Sequence, residues 1–138
     1  MPRPAVHLAI PVTDLPAARA FYGGVLGLES GRESDHWIDW NFYGHQLVTH
    51  VTSGTAEAGL SEVDDHEVPI PHFGLLLGVE AFTELSDRLR AAGVTFLIEP
   101  YLRFPDTPAE QWTMFFKDPA GNSLEFKAFS DENQVFAR

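Results

Sequence analysis

The feature that most constrains this 138-residue chain is a pattern that occurs in it twice. Residues 5–12 alternate, with Val6, Leu8, Ile10 and Val12 on one face and His7, Ala9 and Pro11 on the other, which predicts a strand. Asp14 then stands where a helix N-cap belongs, and Pro16 falls in the first turn, where its missing N–H costs nothing. Ala18, Phe21, Tyr22 and Val25 follow at the spacing of one helix face, and Gly27 closes that helix. Three short strands are predicted around 28–31, 37–42 and 46–51, with Tyr43-Gly44 as a tight turn. The second pass keeps the order. Residues 70–77 set Phe73, Leu75 and Leu77 against His72, Gly74 and Leu76. Phe82, Leu85, Leu89 and Ala92 mark a helix ended by Gly93, and strands are predicted at 94–99, 112–116 and 123–129. His7 to Gly27 takes 20 steps and His72 to Gly93 takes 21, so the two passes align almost without gaps.

The fold class that follows is α+β, with two βαβββ modules over about 5–51 and 70–130. They are expected to form a single domain, 1–138. The connecting linker, 52–69, holds Glu57, Glu62, Asp64, Asp65 and Glu67, and this charge run is expected to be a solvated loop. Gly27 to Gly44 takes 17 steps but Gly93 to Gly121 takes 28, which places a long Pro-rich loop at 100–111. Paired modules of this kind can curve into a half-open barrel, helices outside, with the polar strand faces lining a central metal cavity.

Those polar faces carry His7, then Gln46, Val48 and His50, then His72, then Ser123, Glu125 and Lys127. His7 and His72 hold the same place in the two passes, opposite the apolar stripe, and Glu125 shares that parity on a later strand. The chain has six His, 20 Asp+Glu and no Cys, so thiolate zinc sites, iron–sulfur clusters and disulfides are excluded and a metal must be held by imidazole and carboxylate. Two His and one carboxylate form the facial triad that leaves positions open for substrate and oxygen. With 9 Lys+Arg and a net charge of −11, the chain cannot neutralise a run of phosphates, so no nucleic-acid partner is expected. No segment approaches a membrane span and no signal peptide is evident, so no membrane partner and a cytoplasmic location are expected.

The βαβββ repeat, the strand-borne His7, the Phe21-Tyr22…Leu26-Gly27 helix end and the Asp118-Pro119-Ala120-Gly121-Asn122-Ser123-Leu124-Glu125 segment resemble the vicinal oxygen chelate superfamily. That superfamily includes glyoxalase I, extradiol dioxygenases, methylmalonyl-CoA epimerase, and bleomycin and fosfomycin resistance proteins. Further stretches, His36-Trp37-Ile38-Asp39, Val68-Pro69-Ile70-Pro71-His72-Phe73-Gly74 and Ile98-Glu99-Pro100-Tyr101, are similar to a group of predicted extradiol-type dioxygenases. The resemblance implies that His7, His72 and Glu125 are the metal ligands and that the protein is a homodimer acting on a small molecule. Glyoxalase I enzymes usually add a fourth ligand, a Glu, at the first-half equivalent of Glu125, and here that position is Val48. Three protein ligands favour a dioxygenase that cleaves a catechol-like ring with Fe(II), before Mn(II), Zn(II), Ni(II) or Co(II). The alternatives are a glyoxalase-like lyase or epimerase-like isomerase on the same metal, and a non-enzymatic antibiotic-binding protein.

Supporting roles are expected for several residues. His50 is a candidate acid–base, since an unperturbed imidazole titrates near 6.5. Tyr101 is a second catalytic candidate, and Arg103, on the same long loop, could pair with a substrate carboxylate. Lys127 and Val48 are expected to line the substrate position. Trp37, Asp39, Trp112 and Met114 are candidate cavity walls, while His45 reads as structural and His36 and His66 as solvated.

Overall fold

The first alternating run forms strand β1 (His7–Val12), and the Asp14 carboxylate caps the helix after it by accepting the Ala17 N–H at 2.7 Å. The computed structural model describes residues 3–53 and 59–138; residues 54–58 of the expected linker, Glu57 among them, lie outside the described residues. Only Leu15–Ala18 is α-helical (α1), and Arg19–Val25 winds on as a π-helix. The Leu26 N–H accordingly reaches back five residues to the Phe21 carbonyl, at 2.9 Å. The wider winding delays the inward face by one residue. Ala18, Phe21 and Tyr22 are buried as their spacing predicts, but Leu26 takes the buried place expected for Val25.

Strands β2 (Glu29–Glu33), β3 (Trp37–Phe42) and β4 (His45–Val51) join β1 in a sheet of order β1-β4-β3-β2, with β1 and β4 parallel. Tyr43 and Gly44, with φ 54° and 90°, make the tight turn between β3 and β4. Leu8 and Trp40 both face Leu47, and Ile10 and Ile38 both face Thr49, so one sheet face supplies the core of this unit. The other face holds His7 beside Gln46, Ala9 and Asp39 beside Val48, and Pro11 and Trp37 beside His50. The segment Asp118–Asn122 belongs to the same compact unit. Its buried Asp118 carboxylate accepts from the Tyr22 hydroxyl at 2.7 Å, from the Ala120 and Asn122 N–H groups, and from the Asn122 side-chain amide. Burial, and then the adjacent Asp118 charge, push the Tyr22 hydroxyl well above its ordinary value.

The second unit comprises Ala58–Lys117 and Ser123–Arg138 and departs from expectation in three places. The acidic stretch is no simple loop: β5 (Gly59–Val63) and β6 (His66–Ile70) form a hairpin. Its turn residues Asp64 and Asp65 have φ 50° and 63°, a conformation that Asp tolerates better than most residues. The strand expected at 70–77 does not form in one piece: β6 ends at Ile70, and residues 73–77 run parallel to β9 (Ser123–Phe129). Backbone bonds from Phe73, Leu75 and Leu77 alternate along that strand, as β1 does along β4. Helix α2 (Val79–Ala91) buries Phe82, Leu85 and Leu89 as expected, with Ser86 inward and Ala92 exposed.

The third departure concerns the expected loop at 100–111. Strand β7 (Phe96–Arg103) extends through Pro100 and pairs with β8 (Gln111–Lys117), which pairs in turn with β9. Pro100 sits in a register shift between Ile98 and Tyr101, where the ladder needs no N–H from it. Tyr101 and Arg103 therefore stand on a strand, opposite Thr113 and Gln111, and not on a loop. Trp112 and Met114 lie on β8, and Met114 is fully buried core.

Gly74 makes the crossing of the 73–77 segment over β9 possible. A Cβ built there would lie 1.6 Å from the Glu125 carbonyl oxygen. Gly74→Ala is therefore expected to cost more than about 2 kcal/mol, because the obstacle is backbone and cannot rotate away. Urea denaturation of the variant measures it, and a midpoint equal to that of the parent would contradict the expectation.

Candidate functional site

His72 and Glu125 meet in the second unit. His72 Nε2 lies 3.1 Å from Glu125 Oε1, with both side chains largely buried. The other ring nitrogen, Nδ1, is 2.7 Å from the Pro69 carbonyl, and the ring packs edge-on against Phe115 at 4.9 Å. A carbonyl only accepts, so Nδ1 carries the hydrogen. In the neutral tautomer Nε2 then turns a bare lone pair toward a carboxylate oxygen. That approach is repulsive unless a positive species, a proton or a metal ion, lies between the two atoms. Glu125 Oε2 is held by the Thr113 hydroxyl at 2.5 Å, which leaves Oε1 as the free donor. A ligating His whose second nitrogen bonds a carbonyl, beside a carboxylate whose second oxygen is anchored, is the usual outer arrangement of a divalent-metal site. These two donors therefore fit the metal that the sequence implies.

His7, on β1 of the first unit, is prepared in the same way. Its Nδ1 lies 2.6 Å from Gln46 Oε1, and Gln46 Nε2 donates to Asp39 Oδ2 at 3.4 Å. Because the Asp39 carboxylate can only accept, the Gln46 amide must turn its oxygen to His7. His7 Nδ1 is then protonated and Nε2 is the free lone pair, as in His72. Among the described residues, no group of three or more His, Cys, Asp or Glu is gathered to hold a metal ion. His50 is exposed on the face that carries His7 and the buried Val48. His45 accepts the Val6 N–H at 3.0 Å, a structural role.

Beside His72 and Glu125 lies a cavity of about 210 Å³ within the second unit. Its walls include the apolar Val63, Val68, Ile98 and Phe115, and its polar lining includes Thr113, Tyr101, Arg103 and Lys127. Asp64, at the hairpin tip, takes both the Arg103 guanidinium and the Tyr101 hydroxyl, the latter at 3.1 Å. The Arg103 hydrogen bond holds the Asp64 carboxyl below its usual range. Burial, aided by Asp64, pushes the Tyr101 hydroxyl up, so it stays protonated at neutral pH. His66, expected to be solvated, is exposed but keeps its ring 5.3 Å from that of Tyr101. Sequence reasoning missed the parts played by Thr113, Gln46 and Asp64. Alternation placed Gln46 on the face of His7, and this was the one available signal.

The chain is an α+β protein with His7 and Glu125 on strands and His72 just after one. The chain belongs to the Glyoxalase/Bleomycin resistance protein/Dioxygenase superfamily, whose family model matches residues 5–126. It is similar over 99% of its length, at 31% identity and a TM-score of 0.81, to a glyoxalase/bleomycin resistance protein/dioxygenase from Alicyclobacillus acidocaldarius, covering 98% of that chain. Two further structures share the fold. A lactoylglutathione lyase from Agrobacterium tumefaciens is 23% identical, with 93% of this chain and 96% of that one covered and a TM-score of 0.65. A fosfomycin resistance protein from Listeria monocytogenes is 18% identical, with 98% and 100% covered and a TM-score of 0.71. No curated protein matches the chain. Members of the superfamily generally bind a divalent metal. No helix among the described residues is long and apolar enough to cross a membrane.

Proposed function

We propose that the protein is a divalent-metal enzyme, an extradiol-type dioxygenase that cleaves the ring of a catechol-like molecule. The observation that carries the metal reading is the His72–Glu125 pair, whose free donor atoms face each other at 3.1 Å while their other atoms are committed elsewhere. His7 is the third ligand in this reading, aimed by Gln46 and Asp39. Fe(II) is the proposed ion; it would supply charge neutralisation and a meeting point for adjacent substrate oxygens and dioxygen. Val48 stands where a fourth carboxylate ligand would be, and its apolar side chain keeps the ligand count at three. His50 takes the proton released by the substrate hydroxyl. Phe115 and Ile98 form the dry wall against which the ring lies, and Tyr101, committed to Asp64, serves as wall and not as acid. The working unit is proposed to be a homodimer.

One observation favours a second reading, a lyase or isomerase on the same metal. Asp39 lies directly opposite Val48 on the face of His7, and its carboxylate could serve as the base that Val48 cannot supply. Elemental analysis after anaerobic purification, followed by oxygen-electrode assays on a catechol panel, separates the two. Stoichiometric iron with substrate-dependent oxygen consumption is the expected result. Zinc or nickel with no oxygen consumption would replace the dioxygenase by the second reading.

A further inference from the structure

The cavity of the second unit carries a cation that the proposed metal chemistry leaves unused. Arg103, the residue expected from sequence to hold a substrate carboxylate, is already engaged: Asp64 pairs with its guanidinium, which also lies 4.9 Å from the Phe104 ring. Lys127 is different. It lines the same cavity, half-buried on β9, and among the described residues its ammonium makes no hydrogen bond or ion pair. An anionic ligand could therefore take this ammonium without breaking an existing pair.

The sheet register places this cation. Tyr101, Thr113 and Lys127 form one row across β7, β8 and β9, and Phe115 and Glu125 form the next row. Lys127 and Glu125, two apart on β9, share a face, so the Lys127 side chain leaves the strand on the side that carries the candidate metal donor Glu125. The remaining wall is largely apolar. A cavity of about 150 Å³ holds a benzene ring, so about 210 Å³ accommodates one ring with a small substituent and little more.

We infer that the cavity takes a compact aromatic molecule bearing a single carboxylate, which Lys127 binds while the ring lies against Phe115 and Ile98. The inference rests on the reading of this cavity as the substrate site and adds the charge of the substrate to it. Calorimetric titration of the full chain, stripped of metal with chelator, tests it with benzoate and neutral benzyl alcohol as probes. Benzoate is expected to bind about tenfold more tightly than benzyl alcohol, one charge-assisted hydrogen bond being enough for that preference. Lys127→Met should abolish the preference and Lys127→Arg should keep it, with thermal melts confirming that both variants fold. Equal binding of the two probes by the parent protein would overturn the inference. So would a preference that survives Lys127→Met but disappears in Arg103→Gln. Because neither metal nor turnover enters this measurement, a negative oxygen-uptake assay would remove the ring-cleavage reading and leave the carboxylate preference standing.

Discussion

His72→Ala is expected to empty the proposed metal site, with divalent-ion affinity falling by well over the ~100-fold that loss of an outer-shell partner typically costs. Nε2 is the donor that faces Glu125 Oε1 at 3.1 Å, and among the described residues no third His, Cys, Asp or Glu is gathered with the pair. The supporting groups should produce a graded series. Thr113→Val frees Glu125 Oε2, and Gln46→Leu frees the His7 ring, so each should weaken metal binding by about 10–100-fold without abolishing it. The contrast separates ligands from the residues that aim them. Competitive titration with a chromophoric chelator reads all three variants, and thermal melts confirm that each is folded. A His72→Ala protein that retained stoichiometric metal would remove this residue from the site.

The strand faces that carry the candidate site were legible because a strand has a period of two. Alternation alone placed His7, Val48 and His50 on one face of β1 and β4, and the observed register agrees. It could not show that the Pro69 carbonyl and the Thr113 hydroxyl fix the donor atoms of His72 and Glu125, because those contacts depend on a hairpin and a ladder that local sequence does not specify. The Asp64-Asp65 turn was hidden by its charge: acidic residues read as solvent-loving, yet here they supply left-handed backbone and a partner for Arg103. The strand position of Arg103 followed from pairing with β8, with Pro100 absorbed in a register shift. The π-helix was missed because Ala18, Phe21 and Tyr22 fit either winding, and only the exchange of Val25 for Leu26 tells them apart.

The Asp118-Pro119-Ala120-Gly121-Asn122 run, one of the segments that carry the resemblance, is a structural clamp. It ties together parts of the first unit that are remote in sequence: Tyr22 is 96 residues from Asp118, and Pro11, whose carbonyl accepts from the Asn122 amide at 2.7 Å, is 111 residues from Asn122. Asp118→Ala should therefore cause the largest loss of stability of any substitution considered. It leaves the Tyr22 hydroxyl and the Ala120 and Asn122 N–H groups buried without an acceptor. Each such orphan costs about 1–3 kcal/mol, and because the losses overlap the expected total is about 3–5 kcal/mol. For a domain of this size that lowers Tm by roughly 10–20 °C. Tyr22→Phe removes one donor and leaves the others satisfied, so its cost should be about 1–2 kcal/mol. The pair also has a pH signature. The Tyr22 hydroxyl is raised in the folded state by burial and by Asp118, so the unfolded chain loses its proton first as pH rises. The stabilisation is complete below the ordinary tyrosine value near 10 and declines above it by about 1.4 kcal/mol per pH unit, a slope that Tyr22→Phe should reduce. Urea denaturation between pH 7 and 11 measures both effects, and an Asp118→Ala loss below about 1 kcal/mol would mean that water, and not Asp118, satisfies these donors.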